Sequence, residues 1–163
     1  MLRFSHHPSR ISAVVLSLLC CALAFVAAPR TFAQEQSQTE SNDAPVFSEY
    51  KGVRIGMTAE EARRKLGPPQ EKGDAQDFYA FSEKETAQVS YDAQHLVTAI
   101  AIIYIGADKA PVSKAVLGSD LAAKPDGSMY RLVRYPKMGC WVSYARTGGD
   151  SPLVTVMMQK YKP

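Results

Sequence analysis

The sequence predicts an α+β fold: two tandem helix-plus-three-stranded antiparallel units, with the helices on one face of the sheet. Three observations predict it. A capped helix signal runs into a Gly-Pro stop, three strand-like segments follow it with short polar connections, and the same order of features returns further along the chain. The two repeats would occupy residues 53–105 and 111–160 of a domain spanning 46–163.

In the first repeat Thr58 is a good N-cap and Glu61 stands three residues later, the reciprocal pattern that satisfies two orphan N–H groups. The helix should begin at Ala59. Ala59, Ala62 and Leu66 recur on one face, Arg63, Arg64 and Lys65 suit the negative C-terminal end, and Gly67 with Pro68 and Pro69 forces a stop. Strands are expected over Phe78 to Ser82, Ala87 to Asp92 and Leu96 to Ile105. The polar connections 83–85 and 93–95 are short enough to make adjacent antiparallel pairing the natural solution.

The second repeat is read from self-similarity. Leu66-Gly67 and Phe78-Tyr79 return as Leu117-Gly118 and Met129-Tyr130, each displaced by 51 residues. Val89-Ser90-Tyr91 returns as Val142-Ser143-Tyr144, and Val97-Thr98 as Val154-Thr155, the offset growing where loops absorb insertions. A weaker helix is expected over Val112 to Leu117. Strands should follow at Met129 to Tyr135, Cys140 to Arg146 and Leu153 to Lys160.

The strand Leu96 to Ile105 stands apart. Val97, Ala99, Ala101, Ile103 and Ile105 would face one side and Thr98, Ile100, Ile102 and Tyr104 the other, so both sides are apolar. Either it is a central strand covered on both faces, or its second face is a recognition surface.

The N-terminus is expected to direct export. Arg3 and Arg10 precede an uncharged run from Ile11 to Ala28, and Thr31-Phe32-Ala33 offers a small-residue cleavage site, the pattern of a secretory signal over residues 1–33. An uncleaved membrane anchor is the alternative, because the apolar run is near the lower length for spanning a bilayer. Residues 34–45 are polar and nearly free of large apolar groups, which predicts a disordered linker. The formal charge of +3 belongs to the leader: Arg3, Arg10 and Arg30 precede residue 34 and no acid does, leaving 16 basic residues against 16 acidic ones. A neutral mature chain argues against nucleic acid and against anionic membrane as partners. Membrane association is expected only through the N-terminal segment. Cys20 and Cys21 fall inside the leader, so the mature chain keeps Cys140 alone and no internal disulfide is expected. Leu19 before Cys20 is too large for a lipidation site.

The stretch Gly56-Met57-Thr58, then Ala62, Leu66-Gly67 and Pro69, followed by an aromatic strand and a meander, resembles the SmpA/OmlA domain of the BamE-like outer-membrane assembly lipoproteins. The doubled arrangement is similar to the fold of β-lactamase inhibitory proteins. The likeness covers residues 53–105 directly and 111–160 through the internal repeat. Gly56, Thr58, Glu61, Leu66, Gly67 and Pro69 are structural in this motif, so it speaks for fold more than for function. The resemblance implies an envelope protein-binding module. The missing lipidated cysteine departs from the assembly family, and Ala62 stands where its members usually carry a β-branched residue.

The residues offer little reactive chemistry. No catalytic, cofactor-binding or metal-binding set is expected, and no small-molecule substrate: the mature chain offers one cysteine and one histidine, and its carboxylates Asp74 and Asp77 lack calcium-loop spacing. A thiol enzyme would need the fold to bring Cys140 and His95 together. The aromatic residues are more suggestive. Tyr79, Tyr91, Tyr104, Tyr130, Trp141 and Tyr144 lie in expected strands, where alternation sends some of them away from the helices as binding anchors. The expected activity is therefore a non-enzymatic periplasmic or secreted module that docks an envelope protein through the sheet face opposite the helices. Two alternatives stand beside it: an outer-membrane assembly or structural component held by an uncleaved anchor, and the thiol enzyme.

Overall fold

The computed structural model describes residues 38–161. The expected signal peptide, its alternative as an anchor, and linker residues 34–37 lie outside the described residues. The chain begins with β1 (Gln38–Glu40) and continues through α1 (Ala59–Leu66), β2 (Gln76–Ser82), β3 (Glu85–Tyr91) and β4 (Val97–Ile105). It then runs through α2 (Ser113–Leu117), β5 (Met129–Tyr135), a 3-10 turn (Pro136–Met138), β6 (Cys140–Arg146) and β7 (Leu153–Lys160).

The expected assembly of two helix-plus-three-strand units is overturned. All seven strands form a single mixed sheet in the order β1-β5-β6-β7-β4-β3-β2. Among the described residues α-helix contributes only eight residues in α1 and five in α2. The physical reason lies at the sheet's middle: β4 and β7 pair directly from Ala99↔Gln159 to Ile105↔Leu153. Two separate three-stranded sheets would leave four open edges of unpaired backbone, and fusing them leaves two. A five-residue helix is moreover too short to cover a sheet of its own.

A second difference concerns the linker. Gln38–Glu40, expected to be disordered, adds to β5 as a parallel strand, with Gln38↔Leu132 and Glu40↔Arg134 in register. Composition missed it because all three residues are exposed and the strand is held by its backbone ladder, with Arg134 donating to Gln38 Oε1 at 3.0 Å as the one side-chain bond given between it and β5.

The core lies on the face that meets the helices. Val89, Ile100, Ile102, Val142, Val154 and Val156 are fully buried there, with Ala62 of α1 and Val116 of α2 packed into the same cluster. α1 forms as its sequence demands. The Glu61 amide donates to Thr58 Oγ1 at 3.2 Å, and the Thr58 amide donates back to Glu61 Oε2 at 2.9 Å. Gly67 ends the helix at φ 84°, a conformation that favours glycine. Leu66 is only partly buried, so Ala59 and Ala62 carry the helix contact.

What fixes α1 to the sheet is an ion pair between part-buried Arg63 and a buried carboxylate. Asp77 of β2 is fully buried and accepts from Arg63 Nε at 2.8 Å, from the Tyr91 hydroxyl at 2.7 Å and from the Gly73 amide at 3.1 Å. The Tyr79 hydroxyl adds a longer bond at 3.3 Å. Burial alone would raise the Asp77 pKa, but these donors outweigh it and hold the carboxyl below its ordinary range.

Candidate functional site

The face of the sheet away from the helices is open, and its composition follows from strand alternation. Cross-strand pairing aligns its side chains in rows. One row runs Phe78, Gln88, Ala101, Met157, Ser143, Leu132. Beside it run Gln76, Ser90, Ala99, Gln159, Trp141, Arg134 on one side and Ala80, Thr86, Ile103, Thr155, Ala145, Tyr130 on the other.

Arg134 is the one charged side chain in these three rows, at the β5 end, whereas charged residues make up 21% of the chain. Its guanidinium donates to Gln38 Oε1 at 3.0 Å, which turns it toward the rim. The centre of the face is therefore neutral. Ile103, Ile105 and Leu153 are 40%, 48% and 42% exposed and sit together where β4 meets β7, since Ile105 pairs with Leu153. β4 is central, its core side is buried and its other side is half open, so the strand is not covered on both faces.

One residue changes sides. Val97 was expected beside Ala99, but a register shift between Ser90 and Tyr91 pairs it with Tyr91 and buries it in the core.

The predicted aromatic anchors divide between the faces. Trp141 and Tyr130 lie on the open face and are half-buried. Tyr79, Tyr91, Tyr104 and Tyr144 are buried on the core side, and as anchors for a partner they are corrected. Each is accounted for by packing. Tyr79 and Tyr91 bond to Asp77, and burial pushes the Tyr79 hydroxyl up to about 12. Tyr104 sits opposite Glu85 in the pair with β3, and Tyr144 opposite Arg131 in the pair with β5. The signal that separates the faces was present: in β3 the polar residues Thr86, Gln88 and Ser90 alternate with Ala87, Val89 and Tyr91, so Tyr91 shares a face with the apolar set. The aromatic count obscured it, and it also passed over Phe78, Leu132 and Met157.

The six structural motif residues stand where the sequence places them. Gly56 has φ 86°, Thr58 and Glu61 form the capping box, and Leu66, Gly67 and Pro69 lead from α1 toward β2. None of them reaches the open face. Cys140 and His95 are joined by no hydrogen bond among the described residues: Cys140 pairs with Lys160 and Tyr135, while His95 sits in a tight turn at φ 56°. Burial raises the Cys140 pKa, the wrong direction for a nucleophilic thiolate. No helix among the described residues is long and apolar enough to cross a membrane. Comparison with protein-family models, with curated proteins and with solved structures found no match, so the geometry of the chain itself carries the functional reading.

Proposed function

We propose that this chain is a non-enzymatic binding module of the cell envelope that docks a folded protein partner through the open face of its sheet. The observation that carries the reading is the neutral three-row surface, with Ile103 exposed in its outer row and Ile105 and Leu153 exposed just beyond it, where β4 ends and β7 begins. Six strands side by side at about 4.8 Å spacing make this surface about 24 Å wide, the scale of a protein interface rather than of a small-molecule pocket. The lack of charge disfavours nucleic acid, which is held through phosphate contacts. Trp141 and Tyr130 toward the β5 side supply amphipathic rim contacts. Export is supported by the leader-like residues 1–33, and the resemblance of Gly56 to Pro69 to envelope-assembly domains points to the same compartment.

The test is charge insertion. Ile103→Lys and Met157→Lys place a cation in the neutral centre without entering the core, and should abolish capture of the wild-type partner from an envelope extract while leaving thermal unfolding within about 0.5 kcal/mol of wild type. A captured set unchanged by both substitutions refutes the docking face. Concentration-dependent self-association that the same substitutions abolish would assign the face to a second copy of this chain instead.

A further inference from the structure

On the opposite side of the sheet, where α2 meets β5 and β6, two arginines stand without a counter-ion. Arg131 and Arg146 each bury their Nε with no hydrogen-bond partner, and neither is paired with a carboxylate among the described residues, although Arg131 Nη1 donates to Ser119 Oγ at 3.2 Å. A buried donor left unpaired is costly, and native structures rarely keep one without a use. The two flank one aromatic ring. Arg131 is the cross-strand partner of Tyr144, and Arg146 follows Tyr144 by two residues on the same face of β6.

Arg146 and Tyr144 line a cavity of about 260 Å³. Ser113 also lines it. The Ser113 oxygen accepts from the Leu121 amide at 3.1 Å, which leaves the hydroxyl proton available to donate. The remaining wall is largely apolar, with Ala110, Pro111, Leu121 and Met129 among its residues. Asp120 also lines the cavity, and its carboxylate sits 3.9 Å from Lys114 Nζ with most of its side chain exposed.

We infer that this cavity binds a carboxylate carrying a short apolar tail, with Arg146, Tyr144 and Ser113 donating to the carboxylate and the apolar wall holding the tail. Charge selects the ligand class. Asp120 at the rim repels any anion and a dianion such as phosphate most, while Arg146 on the wall attracts a single negative charge. The chemistry fits a free aliphatic acid and equally the C-terminal carboxylate of a peptide. The site is separate from the open face, so the outcome here does not depend on the docking reading.

The experiment uses the full chain, isotopically labelled, titrated with isovalerate and with isovaleramide as the uncharged control. Isovalerate should shift the Arg146 Nε–H, Tyr144 and Ser113 signals saturably, and the amide should bind roughly tenfold more weakly or worse, as loss of a charge-assisted bond requires. Arg146→Gln should weaken isovalerate by a similar factor. Tyr144→Phe keeps the ring and should weaken it less, which guards against loss of binding through misfolding. An acetylated peptide ending in a free valine carboxylate, compared with its C-terminal amide, distinguishes the source: tighter binding than isovalerate assigns a protein terminus, weaker binding a free acid. No saturable shift at these residues, equal binding of acid and amide, or full affinity in Arg146→Gln would each overturn the site.

Discussion

Asp77 shows how much one side chain does in this molecule. It gathers donors from α1, β2, β3 and the loop at Gly73, so replacing it leaves the part-buried Arg63 and the buried hydroxyls of Tyr79 and Tyr91 without their acceptor. Asp77→Asn should destabilise the fold by about 3 kcal/mol in chemical denaturation, the usual cost of breaking a buried pair on one side. The same carboxyl sets part of the acid limit. Its folded pKa lies below the ordinary carboxylate value of about 3.9, so its stabilisation is complete above that value and drains away as pH falls through the folded pKa. Stability measured from pH 6 downward should therefore fall less steeply below about pH 4 in Asp77→Asn than in wild type; parallel curves would show that Asp77 is not the group being titrated. Thr58→Ala is the milder case. Removing one half of the capping box should cost about 1 kcal/mol, because an N-terminal amide of α1 loses its acceptor.

At the scale of elements, the sequence is clearest where local physics decides. The capping box, the Gly67 stop and the alternating strands were legible because each depends on a few adjacent residues. Pairing across the chain was not. Nothing in β4 or β7 alone says that Ala99 meets Gln159, and that contact turns the expected two units into one sheet. β1 was illegible for the opposite reason, since Gln38–Glu40 is polar and exposed and is held mainly by backbone bonds to β5. The candidate face suffered from both effects. Ile103 and Ile105 were placed together on one side by alternation, but the aromatic anchors were assigned by residue type, and four of the six are in the core. Hydrogen exchange should rank these elements. Amides at the β4–β7 seam, central in the sheet and backed by the core, should exchange slowest, and those of the three-residue edge strand β1 fastest. Equal protection of β1 and β4 would contradict the sheet order.

At the scale of the whole molecule, the chain divides its chemistry between two faces of one sheet. The core side holds the helices, the Arg63–Asp77 ion pair and, near α2, two arginines with no carboxylate partner; the other side is broad, neutral and open. An exposed apolar surface of this kind is tolerated when it is used, because otherwise it invites aggregation. Adjacent methionines report on the two faces directly. Met157 lies half-buried on the open side, and Met158 is 2% exposed in the core. The measurement that bears most directly on the docking claim is oxidation of this pair in the intact chain, alone and in envelope extract. The account predicts that Met157 oxidises readily in the free chain and becomes protected in extract, while Met158 resists in both. Unchanged Met157 oxidation in chain recovered bound to a partner would contradict it.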